Sequence, residues 1–191
     1  MFILKIMVET SARHIHLTQE DLDTLFGKGY KLTPKKDLSQ VGQFACVEKV
    51  EVVGSKKSMK MSILGPVRPE TQVELSRTDA RSIGIDAPTR MSSDLEGTPG
   101  CKVIGPKGEI TIDHGVIVAK RHAHFTPAQA IEYGVVDGQN IQIKLDYNDR
   151  ALIFGDVIAR VSKTAGLAVH IDTDEANAAG LPGTVDGEVI L

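Results

Sequence analysis

The sequence predicts a mainly β protein built from barrel-like halves with a few short helices, and three observations carry that prediction. Short apolar or alternating bursts bounded by Gly, Pro, Asn and Asp cover Ala45 to Val53, Ser58 to Leu64, Glu109 to Ala119, Asn140 to Leu145, Ala151 to Val161 and Leu167 to Ile171; each is a strand signal. Helical stretches are few and brief, which favours barrels over a doubly wound sheet. The chain also repeats itself: Arg13-His14-Ile15-His16-Leu17-Thr18 returns as Arg121-His122-Ala123-His124-Phe125-Thr126, so it carries two related halves. At 191 residues it is one domain or two small ones, and too short for a (β/α)8 barrel of ~250 residues.

Taken in order, the apolar start MFILKIMVET reads as a strand over residues 2 to 12. It has no small-residue cleavage site, so it is not a signal peptide. Thr18 follows the apolar Leu17 and opens a helix that closes at Gly27, because its hydroxyl can cap free backbone N–H groups and Leu17 can staple the entry. In the second copy a strand over 110 to 120 leads into His122. Thr126, behind Phe125 and before Pro127, opens a helix closing at Gly134; proline suits the first helical position. The repeat extends to Glu74-Leu-Ser-Arg-Thr-Asp-Ala80-Arg-Ser-Ile-Gly84-Ile against His170-Ile-Asp-Thr-Asp-Glu-Ala176-Asn-Ala-Ala-Gly180-Leu. Glu74 takes the place of His170, and Thr78 and Asp174 are the expected caps of two short helices. The Gly-, Pro- and Ser-rich stretch Pro88 to Gly108 is the expected linker between halves, with room to line a site.

Charge and composition narrow the function classes. With 22 Lys+Arg against 25 Asp+Glu and a formal charge of -3, neither nucleic acid nor an anionic membrane is expected as a partner. The absence of Trp and an aromatic fraction of 4% also argue against a base-stacking platform. No apolar run approaches the ~20 residues of a membrane span, so a soluble, cytoplasmic protein is expected. Cys46 and Cys101 are far apart with no activating histidine nearby and read as structural.

The chemistry lies in the histidines. Residues i and i+2 of a strand share a face, so His14 and His16 present two imidazoles together, as do His122 and His124. The repeat adds a third candidate to each pair, giving His14/His16/Glu74 and His122/His124/His170. Three protein ligands with an open position are the pattern of catalytic zinc; ligand type also admits cobalt, manganese or iron. Arg68, in the turn Gly65-Pro66-Val67-Arg68-Pro69, is suited to bidentate phosphate binding near metals. The second half has Thr164 at that place, so the first half is the one expected to hold an anion. Lys56, Lys57 and Lys60 form a basic cluster upstream, either a solvated hairpin tip or a further phosphate contact. No serine-hydrolase elbow, Walker loop or dinucleotide fingerprint is present.

The runs Ser11-Ala-Arg-His-Ile-His-Leu17, Ile63-Leu-Gly-Pro-Val-Arg68, Thr71-Gln-Val-Glu-Leu-Ser-Arg-Thr-Asp-Ala80, Ala119-Lys-Arg-His-Ala-His124 and His170-Ile-Asp-Thr-Asp-Glu-Ala-Asn-Ala-Ala179 closely resemble the PduL-type phosphate propanoyltransferases. These are the phosphotransacylases of propanediol-utilisation microcompartments. The resemblance spans essentially the whole chain. It implies tandem β-barrels related by a pseudo-twofold axis, with residues 13–120 forming the first half and residues 2–12 plus 121–191 the second, the N-terminal strand being exchanged. The active site is expected at the junction. The implied reaction is acyl-CoA + phosphate ⇌ acyl phosphate + CoA, with propanoyl-CoA or acetyl-CoA as donor.

Carried over by residue, the resemblance implies two zinc ions per chain, one on His14, His16 and Glu74 and one on His122, His124 and His170. It implies phosphate on Arg68, and CoA along Thr10, Ser11 and Ala12 with Lys56 and Asn177. Ser62 departs from the family, which often has a basic residue there, and Lys60 is the substitute. Microcompartment members carry an N-terminal encapsulation extension, whereas this chain begins just before the first strand; a free cytoplasmic enzyme is therefore expected, with microcompartment association and a homo-oligomer left open. Two rival readings fit these residues less well. His14-x-His16-x3-Glu20-x6-Gly27 matches a cupin's first motif, but Glu20 falls in a predicted helix turn and the second copy has Ala128 there. A purely structural zinc protein would normally fill the coordination positions these triads leave open.

Overall fold

The structure, a computed structural model, describes residues 4–191. The chain runs β1 (Lys5–Thr10), β2 (His14–His16), α1 (Gln19–Phe26), β3 (Pro34–Asp37), β4 (Phe44–Val53), β5 (Ser58–Gly65), β6 (Gln72–Glu74), α2 (Arg77–Ile83), β7 (Thr89–Arg90), β8 (Cys101–Ile104), β9 (Glu109–Ile112) and β10 (Val116–Ala119). It continues with β11 (His122–Phe125), α3 (Pro127–Tyr133), β12 (Asn140–Leu145), β13 (Leu152–Val161), β14 (Ala168–Ile171), α4 (Thr173–Ala178) and β15 (Val185–Ile190). Of the strand predicted over 2–12, Lys5–Thr10 is found as β1, while residues 2 and 3 lie outside the described residues. Among the described residues no helix is long and apolar enough to cross a membrane.

The fold is mostly β, and the chain divides into two compact units. One contains the described chain up to Ser11, Ser39–Val41 and Lys120–Leu191. Its six strands close into a barrel in the order β1-β14-β11-β13-β12-β15. Alternation drives this closure: β12 buries Ile141, Ile143 and Leu145 and leaves Gln142 exposed and Lys144 half-buried, so one face of each strand lines a core with Ile6, Val8, Phe125, Val157 and Val169. The interior is narrow. A Cβ on Gly187 would stand 2.9 Å from both Ile143 and Val8 side chains, so that wall position must lack a side chain.

The other unit contains Ala12–Leu38 and Gly42–Ala119. Its sheet, a curled half-barrel, has the order β7-β10-β6-β2-β5-β4-β8-β9, with β3 paired on β4. Ile15, Leu22, Val50, Val52, Met61, Ile63, Val73 and Val103 form its core. Five strands repeat the barrel's order, β10-β6-β2-β5-β4 matching β1-β14-β11-β13-β12. The difference is the closing strand: β15 pairs with both β12 and β1, whereas β8 pairs with β4 on one side and with β9 on the other. That second edge is used by a hairpin, and the sheet stays open.

Three local expectations are corrected. The stretch Pro88 to Gly108 is not a free linker, because it contributes β7 and β8 to the second sheet; its small residues turn the chain between strands that are held by partners distant in sequence. The strand expected over Glu109 to Ala119 is two strands, β9 and β10, separated at Asp113, His114 and Gly115, with Gly115 at φ 109°. The caps of α2 and α4 are Ser76 and Asp172, not Thr78 and Asp174: their side chains accept from the backbone N–H of Asp79 and Glu175. Each true cap lies two residues earlier, where a side-chain oxygen can reach the third helical N–H. Thr18 and Thr126 cap α1 and α3 as expected, with Gly27 and Gly134 at the ends.

Candidate metal centres

In the half-barrel unit β2 lies between β5, to which it runs parallel, and β6, to which it runs antiparallel. The register sets His14 opposite Glu74 and His16 opposite Gln72. His14, His16 and Glu74 are all buried, and their candidate ligand atoms lie within 4.8 Å of one another. The ring orientation is fixed from behind. His14 Nδ1 lies 2.9 Å from the Ala12 carbonyl and His16 Nδ1 3.2 Å from the Leu64 carbonyl. Carbonyls only accept, so each Nδ1 carries a proton, which leaves Nε2 as the atom that can bind a metal.

His14 Nε2 stands 3.4 Å from Glu74 Oε2. Either a proton or a metal cation can join that nitrogen to the carboxylate, and a His-His-Glu donor set is one that zinc takes. Burial, with His14 and Arg68 adding to it, lowers the His16 pKa to about 3, so the imidazole is neutral and competent as a ligand.

Arg68 reaches this cluster because its backbone N–H donates to the Leu17 carbonyl at 2.9 Å, directly after β2. Its Nη1 donates to Ser92 Oγ at 3.3 Å, and Ser92 in turn donates to Glu74 Oε1 at 3.1 Å. The buried Gln72 amide donates to Glu74 Oε1 and, at 2.9 Å, to Ser92 Oγ, while its carbonyl oxygen accepts from the Ser93 N–H at 2.7 Å. Guanidinium, carboxylate, hydroxyl and amide thus form one network beside the two histidines.

In the barrel unit β11 takes the equivalent place between β13 and β14. His122, opposite His170 in register, joins His124 and His170 in a second set whose candidate ligand atoms also fall within 4.8 Å of one another. The three rings make edge contacts at 4.8 to 5.3 Å between centroids. His122 Nδ1 lies 2.8 Å from the Lys120 carbonyl, repeating the His14 arrangement. Burial first, then His122, His170 and Arg160, lowers the His124 pKa to about 3. Among the described residues, these two sets are the groups of three or more His, Cys, Asp or Glu side chains close enough to share a metal ion.

The other expected site residues are divided between the two units. Thr10 ends β1 and Ser11 donates its N–H to the Ile171 carbonyl at 2.7 Å. Asn177 lies on α4 in the same unit. Ala12 and Lys56 belong to the other unit, Lys56 in the β4–β5 turn with its N–H on the Ile83 carbonyl at 2.9 Å. Sequence reasoning passed over Gln72, Ser92, Arg160, Ser39 and Glu9. Gln72 had a signal, since it stands two residues before Glu74 on the same strand face; Ser92 joins through a distant loop and had none.

Residues 7–182 match the family model described as phosphate propanoyltransferase. The chain is 53% identical over 177 residues to the phosphate propanoyltransferase of Thermotoga maritima, covering 92% of this chain and 84% of that protein. It is 50% identical over 182 residues to the one from Clostridioides difficile, covering 94% and 87%. With the phosphate propanoyltransferase of Listeria monocytogenes it shares 47% identity over 184 residues, covering 96% and 86%. The chain belongs to the phosphate propanoyltransferase family, and it is an acyltransferase.

Proposed function

We propose that this chain catalyses acyl-CoA + phosphate ⇌ acyl phosphate + CoA as a zinc-dependent enzyme, with propanoyl-CoA or acetyl-CoA as donor. His14, His16 and Glu74 would hold one zinc, His122, His124 and His170 the other, and Arg68 the phosphate. Thr10, Ser11, Ala12, Lys56 and Asn177 are the proposed CoA contacts. The observation that carries this reading is the clustering of the His14, His16 and Glu74 ligand atoms within 4.8 Å of one another, with Glu74 linked through Ser92 to the Arg68 guanidinium. Bound zinc would supply Lewis acidity, stabilising negative charge on phosphate, on the carbonyl oxygen and on the departing thiolate.

The chain's own residues do the rest. Arg68, held at its backbone by Leu17 and at Nη1 by Ser92, would bind a phosphate through its planar guanidinium. Holding phosphate there offsets its charge and converts attack into an intramolecular event. A phosphate oxygen attacks the thioester carbonyl carbon, the C–O bond forms, the C–S bond breaks, and CoA leaves as thiolate. No acyl-enzyme is needed. Burial pushes the Cys46 thiol up to about 11 and the Cys101 thiol up to about 12, which makes both poor nucleophiles near neutral pH.

The test is release of free thiol from propanoyl-CoA and acetyl-CoA, with and without phosphate, before and after chelation and zinc restoration. Phosphate-dependent, chelator-sensitive release that zinc restores is the expected result. Release that ignores phosphate would make the protein a thioester hydrolase, and release untouched by complete metal removal would sink the zinc assignment.

A further inference from the structure

Across the barrel wall the strands β1, β14 and β11 set Glu9 beside His170 and His170 beside His122. The matching row of the other unit, across β10, β6 and β2, reads Ile117, Glu74, His14. Ile117 is fully buried and apolar, so one unit has a hydrocarbon where the other has a carboxylate. Glu9 Oε2 lies 3.2 Å from His170 Nε2, and Ser39 Oγ lies 3.2 Å from the same nitrogen. The Glu9 and His170 side chains are only 28% and 18% exposed, so this contact is less screened than an ordinary surface pair.

Ser39 is placed there by design of the chain path. The buried Gln40 amide clamps Gly166, donating to its carbonyl at 2.9 Å and accepting from its N–H at 3.2 Å. A Cβ on Gly166 would collide with the Ser39 carbonyl, so the approach requires glycine.

The ring chemistry follows from these partners. A carboxylate only accepts, so His170 Nε2 carries a proton towards Glu9, which leaves Nδ1 as the nitrogen that can bind a metal. His14, His16 and His122 are set the opposite way, with Nδ1 on backbone carbonyls. We propose that Glu9 is a positioning residue of the second metal centre: it fixes His170 as the Nε2–H tautomer, makes Nδ1 the ligand atom, and gives the three-histidine centre the negative charge that Glu74 gives the first. Carboxylates behind metal-bound histidines orient the ring and raise its basicity. The inference rests on the proposed reading of the two clusters as metal centres.

The experiment is zinc titration of the metal-free wild-type, Glu9→Gln and Glu9→Ile proteins against a chromophoric chelator, joined to long-range 1H–15N spectra of the zinc-loaded proteins. The wild type is expected to bind two zinc ions with His170 attached through Nδ1. In Glu9→Ile, which copies Ile117, one zinc weakens by roughly 10- to 100-fold and the other is unchanged. Glu9→Gln loses less, because its amide oxygen still accepts from Nε2–H without the charge, and its metal-free melting temperature stays within about 2 °C of wild type. Attachment of His170 through Nε2, or wild-type zinc affinity in both variants, overturns the role of Glu9 and leaves the proposed function standing. Fewer than two zinc ions on the wild type overturns the metal reading and Glu9's role with it.

Discussion

In the half-barrel unit the His-x-His strand β2 has β5 and β6 as neighbours, and in the barrel unit β11 has β13 and β14 in the same parallel and antiparallel senses. An arginine just before each strand reaches the third residue of a following helix, Arg13 to Asp79 at 3.2 Å and Arg121 to Glu175 at 3.3 Å. Around this shared frame four positions differ. Glu74 stands against His170 and Gln72 against Ala168; Arg68 stands against Thr164 and Ile117 against Glu9. Strand register is dictated by core alternation on one face, so the repeat holds the backbone while the opposite face is free to change chemistry. The frame places two histidine pairs; through the four differences one cluster is linked to a guanidinium by Ser92 and the other contacts an outer carboxylate.

The largest test of the comparison is to remove one histidine from each cluster. His14→Ala and His122→Ala should each lose one zinc per chain, by metal analysis, and slow phosphate-dependent turnover by about three orders of magnitude, on the order of 4 kcal/mol. Retention of near wild-type turnover by either variant would make that cluster a structural one. Next comes the pair Arg68→Ala and Thr164→Ala. Losing a charged bidentate contact should lower turnover per phosphate bound by roughly 100-fold, ~3 kcal/mol. The exposed Thr164 should leave phosphate kinetics within about twofold. Equal effects at the two positions would contradict the assignment of the anion to one half.

Gln72→Ala makes the first cluster resemble the second, where Ala168 occupies the place. Its amide links Glu74, Ser92 and the Ser93 backbone, and Ser92 holds Arg68. Loss of these bonds leaves buried acceptors short of donors, about 1–3 kcal/mol. The phosphate KM should rise roughly tenfold, with the CoA KM unchanged. A uniform loss across both substrates would show that Gln72 supports the fold and not the anion site.

These cases also show how far the sequence reaches. Six candidate ligands were legible because both the strand period of two and the internal repeat act within a short stretch of chain, and the structure brings them into two compact sets. The turn beside Pro66 and Pro69 pointed to Arg68 as a neighbour of Glu74, and Ser92 links the two side chains. Ser92 was not: it lies in a segment that reads as a linker, and only the pairing of β7 and β8 into the sheet carries it to Glu74. Glu9 was hidden because its meaning depends on β1 lying next to β14, residues 161 positions apart in contact. The caps at Ser76 and Asp172 were missed by two residues because an oxygen side chain occurs at both positions of each copy, and only helix geometry selects between them.

The smallest expected difference separates the two arginine–acid pairs. Arg13 is 44% exposed, whereas Arg121 is 28% exposed and sits 5.2 Å over the Phe154 ring. Arg121→Ala should therefore lower the melting temperature more than Arg13→Ala, by about 2–4 °C for ~1 kcal/mol. The pH dependence has a definite sign. Burial raises the Glu175 carboxyl above the ordinary carboxylate range, while a backbone N–H of the capping box and Arg121 pull it down. Removing Arg121 raises it further, so the variant carries an added penalty whenever Glu175 is ionised. That penalty is complete above the folded pKa, where the carboxylate is charged in folded and unfolded chains alike. It fades as pH falls through the folded pKa, and is gone near the unfolded value of about 4.3. The melting-temperature gap between Arg121→Ala and wild type should accordingly narrow on acidification, and a gap that stayed constant from pH 7 to pH 4 would assign the whole effect to the Phe154 contact.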